Sequence, residues 1–307
     1  MGTIIEQLYV TRAGWLSRHS ALHLAVAAAK SCLEQADCRP DELDLLLNAG
    51  LYRDRNLGEP ALAAMIQDDI GAHPEDPHTG EHGTFSFDIA NGTCGVLTAL
   101  QIVDGFLRSH VIERALVVAS DADPGHRLSE RFPFSAVGGA ALCRWTDDEY
   151  GLGPVQWLNN FDGGDSFRAT VSQSENRNIL RFNESDSLDD DYAAAGYEVV
   201  AACLQQAELD LAAVDSIVAA PACPGFRSAL ATKLGIPSSG VTVAEDEHIH
   251  TAALIAGLER DEPRRSAGTR IILVTVGAGV TAGAALYNVP PNHEAHTATG
   301  LDGAGSE

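Results

Sequence analysis

The sequence predicts an α/β fold with layered sheets and helices, built from two similar halves. A helix end at residues 32–36, CLEQA, returns as CLQQA at 203–207, and at the same separation Asp44 is matched by Asp215. Both aspartates precede apolar strands, and landmarks that recur in one order indicate an internal duplication. The continuous apolar runs are typical of parallel strands that are covered on both faces.

Composition limits the classes of function. At 307 residues the chain can bury a sizeable core, and its formal net charge of −23 argues against binding nucleic acid or an anionic membrane surface. No apolar run is long enough to span a membrane, and the N-terminus lacks the pattern of a signal peptide. The six cysteines have no C-x-x-C spacing, which predicts reduced thiols and a cytoplasmic protein.

We expect residues 1–150 and 151–290 to form the two halves. Within the second half, residues 162–191 are polar and irregular, and we expect them to cross the surface without regular structure. The tail at 291–307 has few apolar residues and is expected to be disordered.

The first half begins with a strand at 3–11. A helix follows, capped by Ser17 or Ser20, and it runs to about Ala36. Residues 43–49 then form a buried strand.

A polar loop at 53–58 leads into a second helix. Glu59 and Pro60 open this helix, which ends near Ile70, because proline suits the first helical turn. Residues 72–84 are rich in His, Pro, Glu and Gly, which predicts an exposed loop.

The stretch at 85–123 has the order strand, corner, helix, strand. Residues 85–89 read as a strand, 90–95 as a corner of small residues, and 115–119 as a second buried strand. The helix between them has apolar residues at helical spacings: Val96, Leu97, Leu100, Ile102, Val103, Phe106, Leu107. The first N–H groups of such a helix are unpaired and can stabilise an anion, so the corner resembles a nucleophile site. A loop and a strand at 136–145 follow.

This stretch resembles the active-site segment of thiolase-fold condensing enzymes, specifically the ketoacyl-ACP synthase III group. The most similar variant joins two acyl chains head to head in long-chain olefin formation. In these enzymes an Asp, four residues, a Cys, one residue and a Gly precede the helix. Asp88 and Gly95 fit that frame without a gap, which puts Thr93 in the cysteine slot and Cys94 one position late.

The resemblance also implies a histidine in a His-Gln-Ala-Asn run and an asparagine in a Gly-Asn-Thr-Ser run, which stabilise the enolate or thioester oxygen. Counting back from the LGIP run at 234–237 puts Ala220 in the histidine slot and Cys223 in the asparagine position of the same run. Aligning on the three residues Thr251-Ala252-Ala253 puts Ile249 in the second asparagine slot, flanked by His248 and His250. All three catalytic identities are then replaced.

The run at 276–286, VGAGVTAGAAL, is similar to the family's C-terminal glycine loop. The resemblance implies that Gly277 and Gly279 bring backbone N–H groups to an oxyanion hole. It covers about residues 20–289 and implies the thiolase-like duplicated fold, in agreement with the internal repeat.

Four side chains near these slots are candidates for chemistry. Cys94 is either a displaced nucleophile, activated by the helix N-terminus, or a packed thiol, since a shift of one residue turns a helical side chain by about 100 degrees. Thr93 either accepts an acyl group or caps the helix. His248 and His250 are two apart and can share a face, and we expect at least one of them to enter the pocket; the alternative is that both lie on the surface among acidic residues.

Glu59 is a candidate of a different kind. In the head-to-head relatives a glutamate from the neighbouring subunit enters the partner's pocket as a base, and residues 53–60 resemble the segment that carries it. The alternative is a solvated glutamate that complements the helix dipole.

Two functions follow. One is a non-catalytic or helper subunit that forms a heterodimer with an active thiolase-fold homologue; the other is an acyltransferase with a rebuilt site, acting on acyl-CoA or acyl-ACP thioesters, and a homodimer is also open. We expect a role in fatty acid or polyketide-type metabolism. The sequence indicates no metal and no cofactor: His248 and His250 show no site geometry, and no glycine-rich phosphate loop follows a strand.

Overall fold

The computed structural model gives each half its own sheet. It describes residues 2–14, 20–53, 62–73, 83–125, 127–160, 166–174 and 177–291. The helices and strands of the first half are β1 (Gly2–Arg12), α1 (Ala21–Gln35), β2 (Leu45–Asn48), α2 (Leu62–Ile70), β3 (Phe85–Asp88), α3 (Gly95–Arg108), β4 (Arg114–Asp121) and β5 (Val137–Thr146). Those of the second half are β6 (Gly151–Leu152), β7 (Gln156–Asn159), β8 (Phe167–Ser174), β9 (Arg177–Glu184), α4 (Leu188–Gln206), β10 (Ser216–Ala220), α5 (Pro224–Leu234), β11 (Val241–Thr242), α6 (Ala253–Asp261), β12 (Arg270–Gly277) and β13 (Thr281–Asn288).

The two main sheets have related layouts. The first has the strand order β1-β5-β4-β2-β3, and the second has β11-β10-β12-β13-β6, with β7 also paired to β13. In each sheet the central strands run parallel: β2 pairs β4 and β10 pairs β12. Their residues are almost all buried, as expected for strands covered on both faces.

The internal repeat is visible in matching details. Helices α1 and α4 both end on an alanine, Ala36 or Ala207, whose N–H reaches the carbonyl of Cys32 or Cys203. In the strands that follow, Leu45 pairs with Ala115 as Ser216 pairs with Ile271. The duplicated, layered α/β architecture predicted from the repeat is therefore confirmed.

Helix α3 lies at the centre of the molecule. Its apolar face, including Val96, Leu100 and Val103, is fully buried in a core shared by residues of both halves. A short 3-10 turn at Gly92–Cys94 precedes the helix and forms the predicted corner. In the described ranges, no helix has the length and apolar character to cross a membrane.

The expectation for residues 162–191 is wrong. Strands β8 and β9 form a separate two-stranded sheet, paired from Phe167 and Glu184 onward, and α4 begins at Leu188. The reason is alternation: Phe167 and Ala169 lie on the face that lines the cavity described below, while Arg168 between them lies on the other face.

Other expectations are met only in part. Ser20 stands at the N-cap of α1, but its side chain makes no capping hydrogen bond; Ser17 lies outside the described residues. The predicted start of α2 and the tail beyond residue 291 also lie outside them. The first sheet uses residues 2–146 and the second 151–288, and on that basis we propose the division into halves at 1–150 and 151–290.

Candidate functional site

The corner before α3 opens onto a cavity of about 360 Å³. Thr93 lines the cavity, and its hydroxyl donates a hydrogen bond to the carbonyl of Val276. Cys94 is fully buried and does not line the cavity; its Sγ lies 3.4 Å from the carbonyl oxygen of Thr281. Burial raises the pKa of the Cys94 thiol to about 12, so it carries almost no thiolate near neutral pH.

The glycine loop packs directly against this corner. A Cβ built on Gly277 would stand 3.0 Å from the Thr93 hydroxyl oxygen, so the loop backbone touches the corner. Gly279 has a φ of 73°, in the left-handed region that favours glycine, and Ala278 lines the cavity. The glycine loop therefore borders the site through Ala278, while the role of Gly277 and Gly279 as oxyanion donors stays a prediction.

The two predicted histidines lie in different places. His250 is buried and lines the cavity. The side chain of His248 is 58% exposed, lies 3.6 Å from Asp246, and borders a second cavity of about 460 Å³. The two histidines do not share a face, because this segment forms turns rather than a strand, so residues two apart need not point the same way. Of the two, His250 is the one that enters the cavity at the corner. Ile249 is buried and lines neither cavity.

His250 is held by a buried carboxylate that the sequence analysis missed. Its Nδ1 lies 3.1 Å from Oδ2 of Asp121, the last residue of β4. The same carboxylate accepts hydrogen bonds from the Thr251 N–H and hydroxyl and from the backbone N–H groups of Leu51 and Tyr52. The position of Asp121 after an apolar strand was the available signal, since polar residues at the ends of parallel strands border sites in α/β sheets.

These contacts fix the state of the pair. Burial alone would raise the pKa of Asp121, but the nearby His250 imidazole and the hydrogen bonds from Thr251 and Tyr52 bring it below its ordinary value. An ionised carboxylate can only accept hydrogen bonds, so Nδ1 of His250 carries the proton that points at it. In the neutral imidazole, Nε2 is then a lone-pair acceptor.

Nε2 faces the corner. A Cβ built on Gly92 would stand 3.4 Å from it, and Gly92 has a φ of +49°. Phe134 stacks on the imidazole with ring centroids 4.1 Å apart and an interplanar angle of 14°. The ring centroid of Tyr52 lies 5.6 Å from that of Phe134 and 5.6 Å from that of His250. The ring is therefore fixed between an aromatic wall and a carboxylate.

The rest of the cavity wall is largely apolar and comes from three parts of the chain. The β8–β9 hairpin contributes Phe167 and Glu184, helix α4 contributes Tyr192, and the turn after β10 contributes Pro221 and Cys223. None of these except Cys223 was singled out from the sequence. A mostly hydrophobic cleft with a few polar groups is the usual form of a small-molecule site.

Cys223 is the thiol that reaches this cavity. Burial raises its pKa to about 11, and the carboxylates of Asp189 and Glu184 add to the effect.

Ala220, in the slot implied for a histidine, is fully buried at the end of β10. Glu59 lies outside the described residues. Across the described ranges, no group of three or more His, Cys, Asp and Glu side chains could hold a metal ion.

Comparison with known proteins gives this geometry a family context. No family model matches the sequence. The chain is 28% identical to the beta-ketoacyl-[acyl-carrier-protein] synthase III of Salmonella typhi, over 92% of this chain and 90% of that protein, and 24% identical to the synthase III of Aquifex aeolicus, over the same shares.

Solved structures show the same fold. The synthase III of Aquifex aeolicus matches with a TM-score of 0.76 at 20% identity, covering 94% of this chain and 100% of that chain. An OleA variant from Xanthomonas campestris matches with a TM-score of 0.77 at 16% identity, covering 94% and 99%. This chain is a ketoacyl-ACP synthase III-like protein of the thiolase fold. The frame from Asp88 to Gly95 puts Thr93 in the slot that the resemblance gives to cysteine, and this replacement stays a prediction.

Proposed function

We propose that this synthase III-like chain binds acyl-CoA or acyl-ACP thioesters in its 360 Å³ cavity and serves as a non-condensing subunit that pairs with an active thiolase-fold homologue. The setting is acyl or polyketide-type metabolism. Its relatives are named as ketoacyl-ACP synthases, and the cavity wall suits an acyl chain. We place the protein in the cytoplasm, because all six of its cysteines are free thiols.

The chemistry at the corner carries this proposal. Condensation needs a nucleophile that carries the acyl group covalently. The corner residue that faces the cavity is Thr93, whose hydroxyl donates a hydrogen bond to the Val276 carbonyl. Cys94 lies behind the wall with its pKa raised to about 12. Cys223 reaches the cavity, but burial raises its pKa to about 11, so at neutral pH it is the protonated thiol.

A surface on the first half supports the pairing. Strand β3 is the last strand of its sheet, and within the described residues it pairs only with β2. Phe85 on β3 is 60% exposed and Met65 on α2 is 44% exposed. An unpaired strand edge with exposed apolar side chains is a template for a second subunit. The segment with Glu59 directly precedes α2, so we propose that Glu59 enters the partner's pocket there.

Co-expression with an active condensing enzyme tests the pairing. We expect the purified chain alone to condense no acyl-CoA above background, and the mixed complex to condense it faster than the active enzyme alone. Glu59→Ala should reduce that gain, whereas Glu149→Ala, at an exposed site between β5 and β6, should leave it unchanged. Robust condensation by the isolated chain would contradict the proposal.

A rebuilt acyltransferase is the second candidate, and the contact between His250 and Asp121 favours it. In this route Thr93 would leave the Val276 carbonyl and accept an acyl group with His250 as base. The structure leaves Cys94 and His248 outside this site, so the rebuilt site reduces to Thr93 and His250. Intact mass after incubation with acyl-CoA decides: an acyl adduct that Thr93→Val abolishes would establish this route.

A further inference from the structure

We propose that this protein also hydrolyses the acyl thioester in its cavity by direct attack of water, with His250 as the general base and Asp121 as its positioning residue. The inference rests on the proposed function only for the binding of the thioester in that cavity. It adds an activity that needs no covalent acyl-enzyme. The pairing role and the hydrolysis are therefore tested by different measurements.

The first support is that the Asp121 carboxylate is buried away from solvent. Only 2% of the residue is exposed, and its two oxygens accept from two backbone N–H groups of the loop at 51–52, from Thr251 and from His250. A fold that needed only to anchor the loop could do so with a neutral acceptor, because a buried charge costs free energy unless it is paired. Here the carboxylate accepts a hydrogen bond from Nδ1 of His250, whose imidazole lines the cavity.

The second support is the direction of the free nitrogen. Nδ1 is occupied by Asp121, and within the described part of the chain Nε2 has no hydrogen-bond partner. Nε2 lies beside Gly92, where any side chain would stand 3.4 Å away. A base acts on a water molecule within about 2.6–3.2 Å, and the cavity that His250 lines is the space from which such a water would approach Nε2.

The third support is the absence of a competing nucleophile at the corner. The Thr93 hydroxyl donates to Val276, and Cys94 lies outside the cavity. Phe134 stacks on His250 and holds the ring against rotation. At the corner the arrangement is that of a base and its orienting carboxylate without a serine or cysteine facing the cavity; Cys223, which lines the cavity, lies on the turn after β10.

The reaction balances with water as the only co-reactant. The water oxygen forms a bond to the thioester carbonyl carbon while its proton moves to Nε2, which gives a tetrahedral oxyanion and an imidazolium stabilised by Asp121. Collapse of the oxyanion breaks the carbon–sulfur bond, and Nε2 returns the proton to the departing sulfur. The products are a carboxylic acid and a free thiol, with no change of oxidation state.

The test uses the purified full chain and acyl-CoA esters of increasing chain length, with release of CoA followed by chromatography. General-base catalysis contributes about 10²–10⁴-fold, so His250→Gln should lower kcat at least 100-fold. The matched control is His248→Gln, two residues away and exposed outside the cavity, which should retain the wild-type rate. Added imidazole should restore part of the rate to a His250→Gly variant.

Asp121→Asn tests the positioning role. We expect kcat to fall at least tenfold while KM stays within twofold, a split that a general loss of structure would not give. If this variant fails to fold, His250→Gln and the imidazole rescue carry the test alone. An unchanged kcat, or a fall in kcat together with a rise in KM, would remove Asp121 from the proposal when the variant folds normally.

A non-hydrolysable S-alkyl-CoA thioether separates this inference from the proposed function. If the thioether binds in a titration but CoA release is the same in wild type and His250→Gln, the hydrolysis fails and the binding role stands. If the thioether does not bind, both fail. An acyl adduct seen by intact mass during turnover, or transfer to an added amine without hydrolysis, would overturn water attack.

Discussion

Asp44 and Asp215 hold the same position in the two halves. Each carboxylate accepts a hydrogen bond from the backbone N–H of the arginine that opens the neighbouring parallel strand: Arg114 at 3.1 Å and Arg270 at 2.8 Å. In return, each aspartate N–H donates to the carbonyl of the same arginine, at 3.1 and 2.9 Å. Asp44 additionally accepts from the N–H of Glu113 at 2.7 Å. The duplication is therefore preserved at the level of individual atoms.

Removing these carboxylates should destabilise the two halves unequally. Because Asp44 accepts two N–H groups and Asp215 one, we expect Asp44→Ala to lower the free energy of unfolding by about 1–2 kcal/mol and Asp215→Ala by roughly half that amount. Chemical denaturation followed by circular dichroism measures both. The asparagine variants, which keep an acceptor oxygen, are the controls, and equal losses at the two sites would contradict the expectation.

Two glycines should respond to alanine with opposite signs. A Cβ on Gly283 in β13 would stand 2.4 Å from the ring of Trp157, so Gly283→Ala should cost about 1–3 kcal/mol by overpacking. Gly105 in α3 has open space around it, so Gly105→Ala should stabilise the fold by about 0.5–1 kcal/mol through helix propensity. Thermal unfolding of the pair checks both signs, and a stabilising Gly283→Ala would mean that the indole moves away freely.

The buried thiols should make the fold sensitive to alkali. Burial raises the pKa of Cys32 and of Cys94 from 9.0 to about 12 in each case. A raised pKa in the folded state favours the protonated thiol, so this contribution is complete below about pH 9 and is lost as the pH rises towards 12. Denaturation midpoints measured across that range should fall less steeply in Cys94→Ala than in the wild type. Parallel slopes would exclude Cys94 as a cause.

Tyr287 should contribute to the attachment of β1. Its fully buried hydroxyl accepts the backbone N–H of Ile5 at 3.0 Å, at the point where the pairing of β1 with β5 is interrupted between Ile5 and Gln7. Tyr287→Phe leaves that N–H without its acceptor, and we expect a loss of about 1–3 kcal/mol. Hydrogen exchange at the Ile5 amide should accelerate in the variant. An unchanged exchange rate would show that another group takes over the amide.

The duplicated core could be predicted from sequence because its signals are local. The strands at 45–48 and 216–220 are short apolar runs, and helix α3 repeats its apolar residues at helical spacing. The β8–β9 hairpin escaped prediction because its polar composition suggested a loop. Its alternation places Phe167 and Ala169 on one face, and that pattern becomes meaningful only once the second strand is paired.

The site was predictable only in part, for a different reason. The frame from Asp88 to Gly95 placed Thr93 in the corner because a helix start has a fixed geometry. The partner of His250, Asp121, lies 129 positions away, and no local pattern reveals such a contact. Counting back from Thr251 selected Ile249 rather than His250, because a turn does not fix which side chain points into a cavity.

The β8–β9 hairpin separates the shape of the cavity from the stability of the fold. It builds part of the cavity wall, yet both of its strands pair within their own small sheet rather than with the duplicated sheets. Substitutions on its inner face can therefore reshape the cavity without disturbing the strands that hold the molecule together. Exchanging this hairpin between homologues should transfer their chain-length preference as a unit, which makes it a natural module for evolution and for engineering.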